Sequence, residues 1–101
     1  MHDHLNDLSR ALIIFIGYGI SSSPTRNSIK IIEEFGPAEG ERLLYSIKIV
    51  FEEVGRINVD WSKNTLESAG KIARAHVQEI HPDLSEEALQ AIEWKFTFDW
   101  K

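Results

Sequence analysis

The sequence predicts a mainly α fold: a compact bundle of about five helices, to which a short two-strand ribbon near residues 57–61 and 94–100 can be added. Three observations lead there. The chain has 101 residues, room for one domain spanning 1–101. Hydrophobic residues make up 43% of it, enough for a modest core. Those residues recur at three- and four-residue spacing in segments separated by glycine and proline, the period of helices that bury one face.

Residues 5–18 carry Leu5, Leu8, Leu12, Phe15 and Ile16 on one helical face. Asp3 or Asn6 can cap this helix, and Gly17 and Gly19 can end it. Ser23-Pro24 reads as an N-cap with proline in the first helical position, so a second helix is expected from Pro24 to Phe35. It would bury Ile29, Ile32 and Phe35 and stop at Gly36-Pro37. A third helix, Ala38 to Val54, has a broad stripe of Leu43, Leu44, Ile47, Val50, Phe51 and Val54. Residues 56–61 alternate polar and apolar, which suits an extended segment. Asn64-Thr65-Leu66-Glu67 resembles a capping box and opens a fourth helix through Ile80. Its apolar face holds Leu66, Ala69, Ile72, Ala73, Val77 and Ile80. Gly70 either weakens this helix by up to ~1 kcal/mol relative to alanine or admits a close neighbour. Ser85-Glu86-Glu87 starts a fifth helix, with acids where the helix dipole favours them. Trp94, Phe96, Phe98 and Trp100 then alternate with polar residues, and a strand would place all four on one face. Pairing with residues 57–61 is expected, with the ribbon lying on the helices.

Composition narrows the function. Sixteen acids against eleven Lys and Arg give a net charge of −5, the wrong sign for sequence-independent nucleic-acid binding or attraction to an anionic membrane. With no cysteine there can be no disulfide, thiolate metal site or cysteine nucleophile. The start Met1-His2-Asp3-His4 lacks the positive charge of a signal peptide, and the apolar run Ala11–Ile16 is too short to span a bilayer. The expectation is a cytoplasmic protein used as the whole chain.

Catalytic and cofactor patterns are missing. Gly17-Tyr18-Gly19 has no third glycine at dinucleotide spacing, no Walker lysine follows, and no Gly-x-Ser-x-Gly elbow occurs. His76 and His81 lie five residues apart, roughly 140° around a helix, unsuited to sharing one ion. His2 and His4 sit at the terminus, and His76 has no serine or carboxylate partner in sequence. The carboxylate pairs Glu33/Glu34, Glu52/Glu53 and Glu86/Glu87 are adjacent residues that point about 100° apart on a helix, so neither member of a pair faces the other's site. No enzyme, metal or cofactor is expected.

Two features remain. Glu33/Glu34 and Glu52/Glu53 occupy last turns of helices, where the dipole is already negative and exposed acids cost roughly 0.3–1 kcal/mol each. Lys30 and Lys48 stand four residues before Glu34 and Glu52, in the less favourable order. Glu39 and Glu41 are close, so residues 33–41 hold four acids and no base. Glu33, Glu34, Glu39, Glu41, Glu52 and Glu53 are thus candidate partner-binding residues, either as a docking surface for a basic partner or as a merely solvated face. The aromatic run from Trp94 to Trp100 is either a hot-spot strip for a partner or the piece that completes a small core.

In overall character the chain resembles the small acidic immunity proteins of bacterial toxin systems, especially those paired with contact-dependent growth inhibition toxins. The likeness lies in a cysteine-free, mostly helical, acidic chain without an active-site pattern. The ending Ala91-Ile92-Glu93-Trp94-Lys95-Phe96-Thr97-Phe98-Asp99-Trp100 is similar to the aromatic endings of some of them. This resemblance implies a cytoplasmic protein that neutralises one cognate toxin domain, often a basic nuclease, by covering its active or substrate-binding surface. It transfers no binding residues. Two other classes stand beside it. A regulatory or adaptor module would bind its partner reversibly, without a toxin. A small-molecule binder or enzyme would need an enclosed cavity with convergent polar groups.

Overall fold

Gly17 ends the first helix by taking φ +77°, a conformation open to glycine at little cost. In the computed structural model, which describes residues 4–100 and the side chains of residues 7–100, five helices follow one another. They are α1 (His4–Ile16), α2 (Ser28–Phe35), α3 (Pro37–Gly55), α4 (Leu66–Ile80) and α5 (Glu86–Asp99). No strand occurs among the described residues. His2 and Asp3, and the side chains of His4, Leu5 and Asn6, lie outside them.

The second helix starts four residues later than Ser23-Pro24 suggests. Thr25 donates its N–H to the Ile16 carbonyl (2.8 Å) and its hydroxyl to the Phe15 carbonyl (2.8 Å), and Asn27 N–H reaches the same Phe15 oxygen (3.1 Å). These bonds satisfy carbonyls at the end of α1 and hold residues 24–27 out of helical geometry. Asn27 then caps α2 by accepting from Lys30 N–H at 3.1 Å. The inward face also differs from expectation: Ile31 is buried, Ile32 and Phe35 are half-buried, and Ile29 is 71% exposed.

Gly36, at φ +84°, turns the chain between α2 and α3, and Pro37 follows in the first turn of α3, where a missing N–H costs nothing. The two helices pack closely at Gly40. A Cβ there would stand 2.8 Å from Ile32 Cδ1 and 3.3 Å from the Ile31 carbonyl oxygen. Leu43, Ile47 and Val50 carry the buried stripe of α3. Thr65, not Asn64, caps α4, and the capping box closes through Ser68 rather than an acid. Ala69, Ala73 and Val77 face inward, whereas Ile72 and Ile80 are exposed. The Ser85 hydroxyl caps α5 (3.1 Å to Ala88 N–H), and the buried Ser9 hydroxyl of α1 accepts the Ser85 N–H at 2.9 Å.

The aromatic end is helical, which corrects the expected ribbon. α5 packs against both α1 and α4, so it needs apolar side chains on two sides. Trp94 meets Tyr18 with ring centroids 5.6 Å apart, while Phe96 turns to Ala69 and Ala73. Strict alternation satisfies a two-sided helix as well as it satisfies a one-sided strand. Ile57 and Val59 do lean together on the Ala69–Ala73–Phe96 cluster, but without strand pairing. Gly70 is a close-approach site: a Cβ would come 2.6 Å from Thr97 Cγ2 of α5. The main core draws Leu8, Leu12 and Ile16 from α1, Ile31 from α2, Leu43, Ile47 and Val50 from α3, and Leu89 and Ile92 from α5. Each such side chain contributes about 1.5–3 kcal/mol through burial.

Candidate functional site

The six candidate acids separate into three that the fold gives a side-chain partner and three that it leaves in solvent. Glu34 pairs with Arg10 of α1 at 2.8 Å, and the same guanidinium lies over the Phe35 ring, 4.9 Å from its centroid. Glu39 lies 3.8 Å from Arg42, one turn on. Glu53 is half-buried, and its Oε2 is 2.7 Å from His81 Nε2 at the end of α4, tying α3 to α4. Glu33, Glu41 and Glu52 are exposed and make no ion pair with the described residues. The i, i+4 pairs expected from Lys30 to Glu34 and from Lys48 to Glu52 do not form, since Glu34 turns to Arg10 instead.

The acids also divide in space. Glu33 and Glu34 end α2, and Glu39 and Glu41 occupy the first turns of α3, so these four meet at the Gly36 corner. Glu52 and Glu53 lie at the far end of α3. From Glu41 to Glu52 the helix advances about 16 Å. The two groups are joined by one outward stripe of α3: Glu41, Tyr45, Lys48 and Glu52 follow a 4-3-4 spacing, share one helical face and are all exposed. Tyr45 is 67% exposed, and an open hollow beside it is bordered by Glu41, Arg42 and Ser46. The spacing alone holds this stripe, but the pairing of acids at helix ends draws attention away from it.

The aromatic run is divided as well. Trp94 and Phe96 complete the core on opposite sides of α5. Phe98 and Trp100 stay largely exposed, and Trp100 stacks at a tilt on Trp61, 5.4 Å between centroids. Arg74 of α4 joins Glu86 and Glu93 of α5, a link that no sequence spacing reveals. Among the described residues no group of three or more His, Cys, Asp or Glu is placed to hold a metal ion. No helix is long and apolar enough to cross a membrane among them. No family model, curated protein or solved structure matches the chain significantly.

A surface of this kind has limited chemistry. Its exposed carboxylates can accept charge-assisted hydrogen bonds from Lys and Arg, and the tyrosine supplies apolar contact with a polar tip.

Proposed function

We propose that this protein is a protein-binding inhibitor of the immunity type, docking the outer face of α3 on a basic toxin domain and blocking that domain's active or substrate-binding surface. The observation that carries this reading is the uneven pairing of the acids. Glu34 and Glu39 have internal cationic partners and Glu53 has His81, whereas Glu33, Glu41 and Glu52 stay exposed without an ion pair among the described residues, Glu41 and Glu52 on the same face of α3 as Tyr45. Charges left in this way are available to lysines and arginines that hold phosphate in a nuclease. Occupying those groups stops the partner without any bond being made by the inhibitor.

The test begins with the gene's neighbourhood: any basic toxin domain encoded immediately upstream is purified for a stopped-flow titration and an assay of its activity, and the lack of one there counts against the reading. Stoichiometric protein should abolish the activity. The triple variant Glu33→Lys/Glu41→Lys/Glu52→Lys should associate at least about tenfold more slowly and with a weaker salt dependence. Undiminished toxin activity overturns the inhibitor reading. Inhibition with unaltered kinetics removes this face from it.

A further inference from the structure

A cavity of about 220 Å³ lies away from the acidic stripe, between the last turns of α3, the last turns of α5 and Arg26 of the α1–α2 connection. Its apolar wall is built by Phe51, Val54, Phe96 and Trp100. At ~30 Å³ per water it has room for about seven waters, the bulk of one aromatic ring with a short chain. It is smaller than the roughly 300–1,000 Å³ of pockets for drug-sized ligands, so a nucleotide or a large coenzyme would not be enclosed.

The polar groups are Arg26, Lys95 and Asp99. Lys95 Nζ lies 4.9 Å from the centroid of the Phe51 ring and 2.6 Å from Asp99 Oδ2, with its side chain only 15% exposed. The Arg26 guanidinium carbon lies 6.0 Å from the same ring centroid, and its side chain makes no ion pair with the described residues. Glu52 borders the adjoining hollow with Arg26 without pairing to it. Two cations thus converge on one aromatic ring, and a single carboxylate in the cavity offsets them. The cavity carries one positive charge in excess beside a wall that excludes water, where an ionic contact is stronger than in solution.

We propose that this cavity binds a small monocarboxylate with an apolar body, an aryl- or alkyl-alkanoate. Its carboxylate would bridge Arg26 and Lys95, and its body would cover Phe51, Val54 and Trp100. The same inventory disfavours the alternatives. A cation would be repelled by the two already on Phe51. A dianion such as phosphate would bring a second charge against Asp99 and the apolar wall. The proposal is independent of the inhibitor reading, because it uses none of Glu33, Glu41 and Glu52.

The experiment is a titration of the full chain with 3-phenylpropanoate, following the indole N–H signals of Trp61, Trp94 and Trp100 by NMR. A saturable shift centred on Trp100, with Trp94 unmoved, is expected at a Kd of about 0.1–1 mM for a ligand of this size. The uncharged 3-phenylpropanamide should bind about tenfold more weakly. Arg26→Gln, at an exposed position that leaves the core intact, should weaken the acid by a similar factor and leave the amide unchanged. The proposal fails if no signal saturates by about 10 mM, or if acid and amide bind alike. It fails equally if Arg26→Gln binds the acid as well as the original chain.

Discussion

Replacing Gly70 by alanine sets two opposed effects against each other at one position. Within α4, alanine is favoured over glycine by about 0.8–1.0 kcal/mol. Against this, the new Cβ would lie 2.6 Å from Thr97 Cγ2 and 3.1 Å from Glu93 Cγ. Glu93 has a flexible side chain and can yield. Thr97 cannot yield easily: it is β-branched, lies within α5, and donates its hydroxyl to the Trp94 carbonyl at 3.0 Å. Relief therefore requires α4 and α5 to separate, and overpacking of this sort costs about 1–3 kcal/mol. The net expectation is a loss of up to about 2 kcal/mol despite the better helix former. For a domain of this size each kcal/mol moves the midpoint by about 5 °C, so the melting temperature should fall by up to about 10 °C. The assay is thermal and urea unfolding followed by circular dichroism. Thr97→Ser, which removes Cγ2 but keeps the hydroxyl, should restore most of the loss in the double variant, giving a positive coupling between the two sites. An alanine variant more stable than the original, or a loss untouched by Thr97→Ser, would refute the argument.

Four further outcomes are expected. Leu12→Ala, at a fully buried position of α1, should cost about 2–5 kcal/mol in urea unfolding. Ser9→Ala removes the acceptor for Ser85 N–H and should cost about 1–3 kcal/mol, with increased amide exchange at Ser85. Thr65→Ala breaks the cap of α4 and should lower stability by about 1 kcal/mol, measured by unfolding at constant m. Arg10→Gln disrupts an ion pair whose side chains are about half exposed, so the loss should stay below about 1 kcal/mol and shrink as salt is added.

All five helices could be anticipated from the sequence: four carry their own apolar period and stops, and α5 shows its Ser85 cap and acidic first turn, though its second half reads as extended. What escaped was set by contacts between distant residues. Ser23-Pro24 has the chemistry of a helix start, yet Thr25 and Asn27 bond to the free carbonyls of Phe15 and Ile16 and keep that stretch extended. Ile29, Ile72 and Ile80 fit an apolar stripe, but no neighbouring helix covers them. The alternating aromatics predicted a strand because spacing alone does not tell that a helix will be covered on two sides. Of the site, the acids could be read directly. Which of them the fold gives a partner could not, because Arg10 comes to Glu34 from 24 positions away and His81 to Glu53 from 28.

The placement of α5 between α1 and α4 has a consequence for the order of events during synthesis. α1 is made first and buries much of its apolar side against the helix made last of the five. Until residues 86–99 are translated, which takes about 1–3 s at ordinary elongation rates, Leu8, Leu12 and Val77 have no finished wall to rest on. The first three helices can pack on one another early, but the core they share with α5 stays open until then. It closes in one late step across nearly the full length of the chain, slower than a bundle built from adjacent helices alone.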